Sequence, residues 1–187
     1  MARQIRIVGV GGTLRPRSST ELAIRAVLAE AEALGATTHM FAGPELDLPM
    51  YAPGGSDAAA GFIDALRAAD AIILGSPGYH GGISGLVKNA LDYTEEMAKD
   101  ADAYFTGKAV GCVATGAGWQ GANTTLSALR SVVHALRGWP TPLGIALNSR
   151  EPLFDADGKS LFPEVSAQFA LMAQDLMAFA QRRAATA

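Results

Sequence analysis

Residues 12–20 read GTLRPRSST. The stretch puts the hydroxyls of Thr13, Ser18, Ser19 and Thr20 and the guanidinium groups of Arg15 and Arg17 directly before a helix-forming segment. Hydroxyls, guanidiniums and the free N–H groups of a helix's first turn make a donor set for a terminal phosphate monoester. Each charge-assisted hydrogen bond contributes about 1.5–3 kcal/mol, so a few of them anchor a dianion in water. A plainer reading stands beside this one: Ser18-x-x-Glu21 is a capping box and the arginines are merely solvated. That reading accounts for Ser18 and Glu21 and leaves Thr13, Arg15 and Thr20 without a purpose. Other phosphate-binding patterns fail. A dinucleotide fingerprint breaks at Leu14 after Gly9 and Gly11, and the loop has no lysine for a P-loop. Gly158-Lys159-Ser160 is a decoy, because Leu153 stands where the P-loop's first glycine belongs. The paired acids of a receiver domain are missing after the first apolar run.

A second stretch, GSPGYHGGISGLVKNALD at 75–92, sets a glycine-rich shelf between an apolar run and a helical pattern. Here Pro77, Gly78, Tyr79, His80 and Gly81 would let backbone groups approach a planar ring. Donors so placed suit the polar edge of a flavin, where they stabilise the charge gained on reduction. A third stretch, ATGAGWQGAN at 114–123, repeats the theme with Thr115, Gly116, Ala117 and Gly118. Trp119 either shields such a ring or packs beneath the loop. His80 is the imidazole in a shelf loop; His39 and His134 fall on a strand and a helix and read as structural. No Cys or His partner sits at metal-ligand spacing, so no metal site is expected. Ser84 lacks a G-x-S-x-G frame, since position 86 is Leu. Lys88 and Asp92, four apart on a helix, are expected to pair.

The elements that must position these loops are read from periodicity. Apolar runs at 5–10, 71–76 and 109–115 are short and end in or near glycine, as for strands covered on both faces; 37–42 and 142–147 are weaker candidates. Helical patterns run over 19–34, 57–68, 84–98, 121–137 and 163–182. In the first, Leu22, Ala26, Ala29 and Ala33 form the expected inner face. In the last, Val165, Phe169, Met172, Leu176 and Phe179 mark a core-facing stripe, with a heptad seam as the alternative. Alternating strand and helix predicts an α/β fold: a doubly wound, five-stranded parallel sheet of order 2-1-3-4-5 with helices on both faces. The first and third strands would then be neighbours, and their loops would flank one crevice. The loops at 43–57, which carry Met50 and Tyr51, and at 155–160 are long enough to serve as lids or subunit contacts.

The chain's 187 residues suit one domain, 1–187, and 49% hydrophobic against 18% charged residues excludes disorder. A net charge of −3 argues against a nucleic-acid surface or a membrane-seeking patch. The single cysteine, Cys112, lies in an apolar run and reads as a small buried thiol. MARQIRIVGV has neither a cleavage site nor the length to span a bilayer, so a cytoplasmic location is expected.

Over about residues 5–180 the chain resembles the NAD(P)H-dependent FMN reductase family of the flavodoxin-like fold. The family's G-S-x-R-x-x-S-x-N stands here as Gly12-Thr13-Leu14-Arg15-Pro16-Arg17-Ser18-Ser19-Thr20. Its P-x-Y-N-x-S-x-P-G-x-L-K-N-A-x-D matches at Pro77, Tyr79, Gly85, Lys88, Asn89, Ala90 and Asp92, and DLPMY at 47–51 resembles a further segment. The resemblance implies that Thr13, Arg15, Ser18, Ser19 and Thr20 hold the FMN phosphate. Pro77, Gly78, Tyr79, His80 and Gly81, with Thr115, Gly116, Ala117 and Gly118, would border the isoalloxazine ring. His80 replaces a usual Asn, Gly78 a frequent Glu, and Ser84 a common Pro; these departures bear on substrate preference more than on flavin binding. The Ser-Gly form is similar to the branch that supplies reduced flavin to sulfonate monooxygenases. The reaction so implied is hydride transfer from NADH or NADPH to FMN and onward to free flavin, a quinone or another acceptor. No side chain need act as acid or base. The resemblance also implies a homodimer or homotetramer, with the helix after the shelf and the 43–57 loop in contact. The alternative is a flavodoxin-type electron carrier without NAD(P)H turnover, although such carriers are usually more acidic.

Overall fold

A computed structural model describes residues 4–186. The expectation about a leader falls partly on residues 1–3, which lie outside the described residues. Strands β1 (Arg6–Gly11), β2 (Thr37–Phe41), β3 (Ala71–Tyr79) and β5 (Ala109–Gly116) form a parallel sheet in the order β2-β1-β3-β5. A short β4 (Gly82–Ile83) folds back antiparallel on β3. The outer position beyond β5 is shared by β6 (Trp139–Pro140) and β7 (Ile145–Asn148), both parallel to it. Helices α1 (Ser19–Ala33), α2 (Ala60–Ala68), α3 (Gly85–Asp92), α4 (Trp119–Ala135) and α5 (Pro163–Thr186) complete the chain.

The sheet has the expected order and differs at its fifth position, where two short strands replace the single one expected at 142–147. The chain turns at Thr141, whose carbonyl accepts from Arg130 Nη1 at 2.7 Å. The Thr141 hydroxyl donates to Leu143 O at 2.7 Å, and the ladder resumes only at Ile145. Two other elements are shorter than their periodicity. The 57–68 helix begins as a 3-10 turn over Asp57–Ala59, where Ser56 Oγ accepts from Ala58 N. The 84–98 helix tightens to a 3-10 turn over Tyr93–Met97, where the Thr94 hydroxyl takes the Leu91 carbonyl at 2.7 Å.

Period-two alternation sorts the strand residues between two cores. Ile7, Ile73 and Val113 face α1 and α5, while Val8, Val10, Ile72, Leu74 and Cys112 face α2, α3 and α4. The stripe on α5 packs into this core through Phe169, Met172 and Leu176, which leaves no seam for a coiled coil. On α1 the inner face is Ala23, Ile24, Val27, Leu28 and Ala31, not the Leu22, Ala26, Ala29 and Ala33 face; Ala29 and Ala33 are exposed. The branched residues win because each removes more apolar surface from water than an alanine does. Helix α1 lies so close to the sheet that a Cβ on Gly75 would stand 2.5 Å from Ile24 Cδ1. Glycine in mid-strand is the condition for that approach.

Candidate functional site

The carboxyl ends of β1, β3 and β5 come level: Gly11 is in register with Gly75, and Pro77 with Thr115. The stretch at 12–20, the shelf and the third glycine-rich stretch leave the sheet from these ends. In an open α/β sheet this is where ligands bind.

The two arginines of the first loop differ in their surroundings. Arg17 adopts φ 55°, donates its amide to Glu21 Oε2 at 3.0 Å, and sends Nη2 to the carbonyl of Ala156 at 2.5 Å. Glu21 Oε1 in turn holds Arg25 Nε at 2.8 Å. Arg17 is therefore committed to the 155–160 turn, which Asp155 closes by accepting the amides of Asp157 and Lys159 through Oδ1. The Arg15 guanidinium has no partner among the described residues. Its backbone is set by Thr13, whose hydroxyl pairs with both N and O of Arg15 at 3.1 Å.

The capping reading is realised in part. Ser18 Oγ accepts from Glu21 N at 3.2 Å, and Glu21 answers to Arg17 N instead of the Ser18 amide. Because Ser18 Oγ accepts, its own O–H proton stays available to an anion. The amides of Ser19 and Thr20 open α1, and no acceptor meets them among the described residues, as expected for a helix's first turn. The Thr20 side chain is buried and its hydroxyl meets that of Thr115 at 2.6 Å.

The shelf is a β-hairpin. His80 and Gly81, at φ 53° and 85°, form the two-residue turn between Tyr79 and Gly82, the positive-φ pair that a type I′ turn requires. Ser76 Oγ closes its base, donating to Pro77 O at 2.8 Å and accepting from Ser84 N at 2.9 Å. Ser84, buried, caps α3 through Val87 N. It therefore serves the backbone at the base of the hairpin and the start of α3. Glycine has two different uses here. A Cβ on Gly78 would lie 2.8 Å from Gly121 O, and one on Gly116 would lie 2.9 Å from Ala122 N. Both glycines let α4 pack. Gly81, Gly82 and Gly118 face open space, with no atom within 4 Å of a Cβ.

The remaining candidates differ in exposure. Tyr79, His80 and Ala117 are exposed, and Pro77 is buried at the end of β3. Trp119, at the start of α4, is 59% exposed and lines a cavity, so it is not packed under its loop. Cys112 is buried, and burial pushes its thiol up to about 12. Lys88 and Asp92 pair as expected.

The sequence assigns Asn89 no task beyond a motif match. In the fold it is buried: Oδ1 accepts from Tyr51 N at 2.8 Å, and Nδ2 donates to Leu48 O and Pro49 O at 3.1 and 3.0 Å. Tyr93 Oη adds a bond to Pro49 O at 2.9 Å, and its ring meets Tyr51 edge-on. The 43–57 loop is thus tied to α3 and presents Met50, 83% exposed, to solvent. A polar residue at an otherwise buried helix position was the signal.

The family described as NADPH-dependent FMN reductase matches residues 5–151. An FMN-dependent NADPH-azoreductase of Staphylococcus aureus (strain USA300) is 40% identical over 91 residues, 49% of this chain and 45% of that protein. The chain thus spans about half the length of the curated relatives it matches. Among solved structures, the flavoenzyme NAD(P)H:(acceptor) oxidoreductase FerB from Paracoccus denitrificans superposes with a TM-score of 0.77 at 17% identity, covering 94% of this chain and 98% of that one. A WrbA-like flavodoxin from Agrobacterium tumefaciens gives 0.65 at 22% identity, covering 96% and 99%. At these identities the likeness is one of fold.

Proposed function

The chain belongs to the NADPH-dependent FMN reductase family, and from that premise we propose that it is an NAD(P)H-dependent FMN reductase, an oxidoreductase of free flavin, quinones or a similar acceptor. When bound, FMN supplies the redox chemistry: it accepts hydride from NADH or NADPH and passes electrons on. The observation that carries the reading is the uncommitted Arg15 guanidinium in the loop that ends in the unmet amides of Ser19 and Thr20. That donor set fits a phosphate monoester.

Arg15, Thr13, Ser18, Ser19 and Thr20 would hold the phosphate. Of the Thr20 and Thr115 hydroxyls, each of which can donate once, one proton is spent between them and one remains for the ligand. Pro77, Gly78, Tyr79, His80 and Gly81 would border the ring on one side, and Thr115, Gly116, Ala117 and Gly118 on the other. The open faces of Gly81 and Gly118 support this, since a flat ring needs a wall without side chains. Exposed Tyr79 would cover such a ring from water. No side chain here is required to take up a proton, so the chain's contribution is binding, orientation and exclusion of solvent.

The assembly that suits this reading is a homodimer or homotetramer, with α3 and the Met50 loop at the contact. A flavin-dependent monooxygenase receiving reduced FMN would be a further partner, in the cytoplasm. Among the described residues no helix is long and apolar enough to cross a membrane.

The test is anaerobic. Protein with stoichiometric FMN is mixed with NADPH or NADH while the oxidised-flavin absorbance is followed. Rapid bleaching is expected, and bound flavin that neither nucleotide reduces would make the protein a carrier.

A further inference from the structure

Helix α5 buries one side and leaves a second stripe on the surface. Leu171, Asp175, Ala178, Phe179 and Arg182 fall within about 100° of its circumference. Leu171, Ala178 and Arg182 are exposed, and Asp175 and Phe179 are half-buried. Phe179 lies beside Trp139 of β6, with ring centroids 6.3 Å apart, and Trp139 is 61% exposed. A groove of about 350 Å³ runs between α5 and this border of the sheet. Trp139, Pro140, Pro142, Ala178 and Phe179 line it, together with Asp175 and Arg182. Two aromatic rings and two prolines in one groove mark an interface, unlike apolar residues scattered singly over a surface.

The charges say what covers it. Neither Asp175 nor Arg182 enters an ion pair among the described residues. They stand seven residues apart, about 10 Å along the helix axis, too far to pair with each other. A two-fold axis passing between Ala178 and Phe179 would set a second copy of α5 antiparallel to the first. Positions equidistant from that axis then face each other. Asp175 meets the second copy's Arg182, and Arg182 meets its Asp175, so both charges find partners at once. At the axis Phe179 meets the second copy's Ala178, a large side chain against a small one. Charge and shape are thus both self-complementary, as an isologous contact requires. A foreign partner would have to match this pattern; a copy of the chain matches it by symmetry.

We propose that this stripe and the adjoining sheet border at Trp139 form an isologous docking surface for a second copy of this chain, with the two α5 helices antiparallel. The surface lies across the sheet from α3 and the Met50 loop, because α5 packs on the core shared with α1 while Val87, Leu48 and Tyr51 pack on the other. The inference does not depend on the reductase reading.

Analytical ultracentrifugation of the full chain provides the test. Asp175→Arg and Arg182→Asp should each halve the assembled mass, since either reversal brings like charges together twice per interface. The dissociation constant of that contact should rise about a hundredfold. Mixing the two variants should restore the parent mass, because one is then positive at both positions and the other negative at both. The double variant Asp175→Arg with Arg182→Asp should reassemble on its own. In Trp119→Phe protein Trp139 is the sole tryptophan, and its emission should move to the red when the contact opens. A parent that sediments as a monomer, a mass that neither reversal changes, or single variants that stay apart on mixing overturns the inference. Bound flavin that NAD(P)H fails to reduce would count against the reductase reading and leave these masses as they are.

Discussion

The hydroxyls of Thr20 and Thr115 meet at 2.6 Å in the protein interior, joining the first turn of α1 to the end of β5 across 95 positions of sequence. This bond ties the loop at 12–20 to the third loop. Thr115→Val leaves the Thr20 hydroxyl buried without a partner and should cost about 1–3 kcal/mol. Replacing both by Val removes the orphan, so the double variant should be less destabilised than the sum of the singles. Urea denaturation of the four proteins of the cycle measures this, and simple additivity would mean that the two hydroxyls act independently.

The two arginines of the first loop should separate in a ligand titration. Arg15→Ala is expected to weaken FMN by about 1.5–3 kcal/mol while leaving riboflavin, which lacks the phosphate, nearly unaffected. Arg17→Ala loses its bond to Ala156 and should change the FMN-to-riboflavin affinity ratio far less. Equal ratios for the two variants would show that Arg17 also reaches the phosphate.

Asn89→Ala removes three hydrogen bonds at once from the 43–57 loop. Unsatisfied partners at Tyr51 N and Leu48 O should cost about 1–3 kcal/mol, while Pro49 O keeps its bond from Tyr93 Oη. Asn89→Asp keeps the acceptor and loses both donations, so it should not rescue. Limited proteolysis reports the outcome: cleavage within 47–56 should appear well below the global melting temperature, and a loop that stays resistant would place its anchor elsewhere.

Cys112 should be silent toward thiol reagents until the protein unfolds. Its thiol ionises at about 12 in the fold against an ordinary 9.0, because burial disfavours the thiolate. A raised value means that the folded state keeps its proton longer. The associated stability is complete below pH 9 and is lost as pH rises toward about 12. Stability curves of the parent and Cys112→Ala should therefore converge across that window, and a constant gap between them would contradict the burial argument.

His80→Asn should stabilise the hairpin by a few tenths of a kcal/mol, roughly, because Asn tolerates positive φ better than His does. The family's usual Asn and this chain's His thus answer the same demand of the backbone. A thermal midpoint that falls in the variant would instead assign His80 a contact worth more than the turn.

The sheet order and the three loops at its carboxyl edge are legible because glycine-ended apolar runs and the helices between them are local patterns. What stays hidden depends on partners distant in sequence. Nothing local distinguishes Arg15 from Arg17, since the carbonyl that engages Arg17 lies 139 residues away. Periodicity alone points to the wrong face of α1, because alanines satisfy the helical period as well as Ile24, Val27 and Leu28 do, and only burial against the sheet ranks them. The hairpin does leave a signal: His80-Gly81 is a two-residue turn flanked by Tyr79 and Gly82, with Ile83 next in the returning strand.

The interrupted strand beyond β5 also bears on how these molecules behave when crowded together. Trp139 and Thr141 direct their amides inward, to the carbonyls of Lys108 and Val110. Alternation then turns Pro140 and Pro142 outward, where a sheet's border would offer donors to a neighbouring chain. Proline has none to offer. Along β6 this border therefore offers a stray strand no N–H to pair with, which works against fibre growth from that stretch in concentrated solution.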